Sequence, residues 1–131
     1  MKIVNAWPPN IEQIRAVLTP PANTVFTYED TIYAPGIKFE LHPHLIVHER
    51  VHEKQQGNFL TPQDWWTNYL ENKEFRFNQE LEAYQAQYVY FRANNSRNVS
   101  RGFARTIAKD LSGIMYGKIV DFTKALEMIK S

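Results

Sequence analysis

Two histidines four residues apart, with a glutamate beside the first, form the run His48-Glu49-Arg50-Val51-His52, the part of this chain best suited to chemistry. On a helix, side chains at i and i+4 lie one above the other, so His48 and His52 can offer two imidazoles to one metal ion. Glu49, next to the first ligand, can then polarise a water held at that metal. A hydrolytic zinc site needs neutral imidazoles, a carboxylate third ligand, an open position for water and a base beside that water. The run supplies two ligands and the base.

The third ligand must come from elsewhere. A metzincin carries glycine three residues after the second histidine and histidine six after it, but those positions hold Gln55 and Asn58, which excludes the class. The run Asn78-Gln79-Glu80-Leu81-Glu82-Ala83-Tyr84 offers two carboxylates in the middle of an expected helix. At about 100° per residue, Glu80, Tyr84 and Gln87 align on one side, while Glu82 points about 200° away. Glu80 is the expected ligand, and Glu82 is a reserve, expected in solvent or behind a ligand. The absence of cysteine removes both thiolate ligation and disulfides. Imidazole and carboxylate suit zinc and also accept other divalent ions.

Other residues carry weaker signals. Tyr84, with Tyr88 and Tyr90, could lend a phenol to a tetrahedral intermediate, although tyrosines at helical spacing also build cores. His44 is placed either to orient substrate or, more simply, to face solvent at a helix start. Trp65-Trp66 reads as part of an amphipathic core stripe rather than a substrate wall. Arg97, Arg101, Arg105 and Lys109 recur every four residues and are expected to be a solvated face, because no stacking platform for bases lies nearby. A net charge of +1 exerts no global pull toward nucleic acid or a membrane.

The elements that must position these residues are legible in part. A chain of 131 residues with 44% hydrophobic and 22% charged residues suits one globular domain over residues 1–131. No signal-peptide run or membrane-length apolar stretch occurs, so a cytoplasmic protein is expected. Lys2 to Trp7 alternates as a short strand ended by Pro8-Pro9; Asn10 then caps a helix carrying Ile11, Ile14, Val17 and Leu18. Val25 to Tyr28 and Thr31 to Tyr33 flank Glu29-Asp30 as a hairpin, although a two-residue turn prefers glycine at its second position. Ile37 to Leu41 alternates as a further strand. The metal helix starts near Pro43, ends at Gly57 and is expected to bury Leu45-Ile46-Val47. Helices are then predicted after the Thr61-Pro62-Gln63-Asp64 cap, from about Asn78 to Arg92, around Phe103, Ile107 and Leu111, and from Phe122 to Ile129 after Asp121.

With those residues in view, the chain resembles a gluzincin-type zinc metallopeptidase of minimal size. In that group a glutamate on a later helix, often in a Glu-x-x-Ala-Asp run, completes the site begun by His-Glu-x-x-His. Glu80-Leu81-Glu82-Ala83-Tyr84 matches with Glu80 as ligand and departs by having Tyr84 in place of aspartate, leaving the support of the histidines unassigned. The Val4-Asn5-Ala6-Trp7-Pro8-Pro9 opening and the His48 to Tyr84 centre also resemble small metallopeptidases encoded by bacteriophages and prophages. The resemblance implies a zincin-like α+β fold, with a small N-terminal sheet packed on the metal helix and a mainly helical C-terminal half. It implies Zn²⁺, a peptide or protein substrate, the host cytoplasm as location if the chain is phage-encoded, and Ile37 to Leu41 as the strand edge against which substrate lies. A different class of protein, a metal-stabilised structural or interaction module without turnover, is the alternative.

Overall fold

The computed structural model describes residues 1–38 and 40–131. Strands β1 (Lys2–Val4), β2 (Phe26–Tyr28) and β3 (Thr31–Tyr33) form a small sheet in the order β1-β3-β2. Between β1 and β2 lies helix α1 (Ile11–Val17). After the sheet come α2 (Pro43–Gln56), α3 (Pro62–Glu71), α4 (Lys73–Ala93), α5 (Arg97–Leu111), a 3₁₀ turn (Ile114–Tyr116) and α6 (Phe122–Lys130). The architecture is α+β, a three-stranded N-terminal sheet followed by a mostly helical remainder. Among the described residues, no helix is long and apolar enough to cross a membrane.

β3 is central, parallel to β1 and antiparallel to β2 with Tyr28 opposite Thr31. Glu29, the first turn residue of the hairpin, takes the left-handed conformation (φ 57°) that usually falls to glycine. Its N–H donates to Gln56 Oε1 at 2.8 Å, so α2 holds the strained turn in place. The strand expected over Ile37 to Leu41 does not form: Ile37, Lys38, Glu40 and Leu41 carry no strand structure, and Phe39 lies outside the described residues. The Pro35-Gly36 turn, closed by Ile37 N–H donating to the Ala34 carbonyl at 3.3 Å, redirects the chain after β3. Gly36 passes so close to Ala22 that a Cβ there would lie 2.4 Å from the Ala22 carbonyl oxygen.

Capping explains most helix starts. Thr61 and Asp64 form a reciprocal capping box on α3, each side chain accepting from the other's backbone N–H at 3.2 Å. Asn72 ends α3 and caps α4 through Phe75 N–H, so α4 begins at Lys73, five residues before the expected Asn78. Ser96 and Asp121 cap α5 and α6 in the same way. Asn10 does not cap α1 with its side chain, against expectation. Ile11 N–H donates to Pro8 C=O, and this tight turn leaves the Asn10 amide buried without a partner.

The apolar core falls into two clusters. Ile14, Phe26, Trp65, Trp66, Tyr69 and Leu70 form one, and residues of α4, α5 and α6 around Tyr84, Ile107, Leu111 and Ile129 form the other. Trp65 and Trp66 are thus core residues, as expected. The apolar run Leu45-Ile46-Val47 is only half-buried, correcting the sequence reading; the buried residues of α2 are His48, Glu49, His52, Gln55 and Gln56. An entirely polar stripe facing the interior requires partners throughout.

Candidate metal centre

The partners come mainly from α4. Glu80 Oε1 lies 3.0 Å from His48 Nε2 and 3.3 Å from His52 Nε2, and the two Nε2 atoms are 3.2 Å apart. Donor atoms about 2.0–2.1 Å from one tetrahedral zinc stand about 3.3–3.4 Å from each other, so this triangle has nearly the size a single ion requires. His48 Nδ1 is 2.8 Å from Gln87 Oε1, and His52 Nδ1 is 2.8 Å from Gln55 Oε1. Because an amide oxygen only accepts, both Nδ1 atoms carry a hydrogen, which leaves both Nε2 atoms directed at the centre as the positions for a metal or a proton. Three acceptors pointed at one spot repel unless a cation or a proton lies between them, and the donor set therefore fits a divalent metal.

Electrostatics agrees. Burial alone would lower the pKa of His52, but the charge and hydrogen bond of Glu80, with help from Glu49 and Gln55, raise it to about 9. Burial alone would raise Glu80, yet the two histidines hold it well below the usual carboxylate range. Glu80 Oε2 accepts a 2.5 Å hydrogen bond from Tyr69, which leaves Oε1 to face the imidazoles. Burial and the Glu80 charge push the Tyr69 phenol up, which keeps it a donor.

Glu49 lies alongside. Its Oε2 is 3.8 Å from His48 Nε2, and its Oε1 accepts from Thr27 Oγ1 at 2.8 Å. Burial raises its pKa against the pull of His48 and His52. The potential donor atoms of His48, Glu49 and His52 all lie within 4.8 Å of one another, so Glu49 competes with Glu80 for the role of third ligand. Glu80 approaches both histidine donors more closely than Glu49, which stands 3.8 Å from His48 Nε2, and this favours Glu80 as the candidate ligand.

The remaining expected residues have distinct places. Tyr84 packs edge-on against His48 (ring centroids 4.6 Å) and neighbours Tyr116. Glu82 supports the site from outside, accepting from Gln55 Nε2 at 2.8 Å. His44 is half-buried instead of facing solvent, 2.9 Å from Gln87 Nε2. Arg97, Arg101, Arg105 and Lys109 are exposed, as expected of a solvated face. Tyr69, Gln55, Gln87 and Thr27 were not singled out as supports by sequence reasoning. Gln55 could have been sought three residues after His52, and Gln87 aligns with Glu80, but nothing local marks Tyr69 or Thr27.

His48, Glu49, His52 and Glu80 line a cavity of about 590 Å³ whose other walls include Leu18, Phe26, Trp66, Phe103 and Met115. Compared with models of known protein families, with curated proteins and with solved structures, the chain matches none. The reading of the site therefore stands on its geometry.

Proposed function

We propose that this chain is a zincin-like, zinc-dependent metallopeptidase of the gluzincin type, with His48, His52 and Glu80 as ligands. The observation that carries the reading is the convergence of His48 Nε2, His52 Nε2 and Glu80 Oε1 beside the Glu49 carboxylate, all on the wall of one cavity. When bound there, zinc would supply Lewis acidity that makes water more acidic and polarises a carbonyl. Glu49 takes a proton from the attacking water through Oε2, while Thr27 holds Oε1, and then delivers it to the leaving amine. A raised carboxylate pKa suits a group that must both accept and release a proton near neutrality. Tyr84 stands beside His48 on the cavity wall as the phenol available to the tetrahedral intermediate. The apolar walls suit a peptide with a bulky apolar side chain near the scissile bond.

One observation favours the second reading, a metal-stabilised structural or interaction module. The Thr27 carbonyl of β2 accepts from both Gln56 Nε2 (2.8 Å) and Trp66 Nε1 (3.0 Å), so α2 and α3 already engage the outer strand next to the site. Incubating zinc-loaded protein with a mixture of fluorescence-quenched peptides separates the two. Cleavage that a chelator abolishes and added zinc restores is expected; full zinc occupancy with no cleavage would leave the structural reading.

A further inference from the structure

The two glutamines behind the histidines are held differently. Gln55 Nε2 donates to two fixed acceptors, the Gln79 carbonyl (3.0 Å) and Glu82 Oε1 (2.8 Å), so its oxygen must face His52. Gln87 Nε2 has one partner, His44 Nδ1, at 2.9 Å. An amide has nearly the same shape after its ends exchange, and only its partners decide which end faces where.

The orientation matters because the reverse one would block a proposed ligand atom. With Gln87 reversed, its NH₂ would face His48 Nδ1, which must then accept, and the ring hydrogen would move to Nε2. There it would find Glu80 Oε1 at 3.0 Å, a good acceptor, and the nitrogen needed for a metal would be blocked.

We infer that His44 is a positioning residue for the metal centre: by accepting from Gln87 Nε2 at its Nδ1, it turns the Gln87 oxygen to His48 and keeps His48 Nε2 free for a metal. His44 is itself held, stacked on His42 (5.3 Å between centroids) and edge-on to Phe91 (5.3 Å) and Phe103 (4.9 Å). Reversal of Gln87 would require His44 to exchange its own tautomer as well, so the chain His44, Gln87, His48 turns over together or not at all. The inference rests on the metal-binding part of the proposed function and is independent of peptide hydrolysis.

The test compares wild type, His44→Phe and the double variant His44→Phe with Gln87→Glu. Imidazole ¹⁵N shifts of the metal-free proteins at mildly alkaline pH report the His48 tautomer, and zinc affinity is read by competition with a chelator. Wild type is expected to carry the hydrogen on His48 Nδ1. His44→Phe keeps the aromatic packing, shifts His48 toward the Nε2–H form and weakens zinc binding about tenfold. Glutamate at position 87 has no donor end to reverse and restores both readouts.

An unchanged His48 tautomer in His44→Phe, or no restoration in the double variant, overturns the inference. Should the variants not fold, an Nε2–H tautomer at His48 in metal-free wild type overturns it alone. Wild type that binds no zinc while His44→Phe still shifts the tautomer would sink the metal reading and leave the positioning role standing.

Discussion

Replacing Glu49 by glutamine separates the base from the ligands. The amide is nearly isosteric, and its oxygen can still accept from Thr27 Oγ1, which now lies 2.8 Å from Glu49 Oε1, so the link between α2 and β2 survives. The proposed ligand triangle of 3.0, 3.2 and 3.3 Å does not include Glu49, whose Oε2 lies 3.8 Å from His48 Nε2, so zinc content should stay at one per chain. Loss of a general base costs about 10²–10⁴ in rate, or about 3–5 kcal/mol in barrier height. Because burial raises Glu49 above its ordinary value, its ionisation works against the fold as pH climbs through that raised pKa. The metal-free variant should therefore melt higher than wild type at neutral pH. The assay is cleavage of the best quenched peptide, with zinc counted by atomic emission and unfolding followed by circular dichroism. Zinc-loaded Glu49→Gln cleaving at the wild-type rate would refute Glu49 as base. Loss of zinc from the variant would instead make Glu49 a ligand and displace Glu80 from that role.

Two further outcomes follow from the geometry. His52, raised to about 9 against an ordinary 6.5, holds a proton at the proposed metal position. Zinc must displace it, so apparent affinity should fall about tenfold for each pH unit below about 9, with matching proton release in calorimetry across buffers. In the metal-free protein the sign is opposite: stability from protonated His52 is fully present below 6.5 and lost as pH rises through about 9. Arg76, only 3% exposed, donates to the carbonyls of Tyr69 (2.9 Å), Leu70 (3.3 Å) and Met115 (2.9 Å), tying the end of α3 to the 3₁₀ turn. Arg76→Ala strands those carbonyls and should lower unfolding free energy by about 3–5 kcal/mol in urea titrations.

The helix that bears the motif was legible because its signals are local: His48 and His52 one turn apart, Pro43 at the start, Gly57 at the end. Glu80 was also within reach, since helical phase alone separates it from Glu82. Strand pairing was less accessible. Ile37 to Leu41 alternates as well as β3 does, but no local pattern records whether such a segment meets a strand edge to pair with. The supports of the site are long-range contacts by nature. Tyr69 reaches Glu80 only because α3 and α4 share Asn72 as a corner, and Thr27 reaches Glu49 only because the hairpin docks on α2. His44 misled for a related reason: a helix-start histidine normally meets water, and only the return of α4 brings Gln87 beside it.

The polar stripe of α2 also bears on how this protein would change under selection. Buried ionic groups are commonly less stabilising than well-packed apolar residues of similar volume. A metal-free triple replacement of His48, His52 and Glu80 by leucine should thus be at least as stable as the metal-free wild type. Selecting random variants for thermal endurance alone, in medium stripped of metal, should erase these three positions early, whereas the same selection with zinc supplied should retain them. Loss of these positions without zinc and their retention with it would mark them as residues kept for holding the ion.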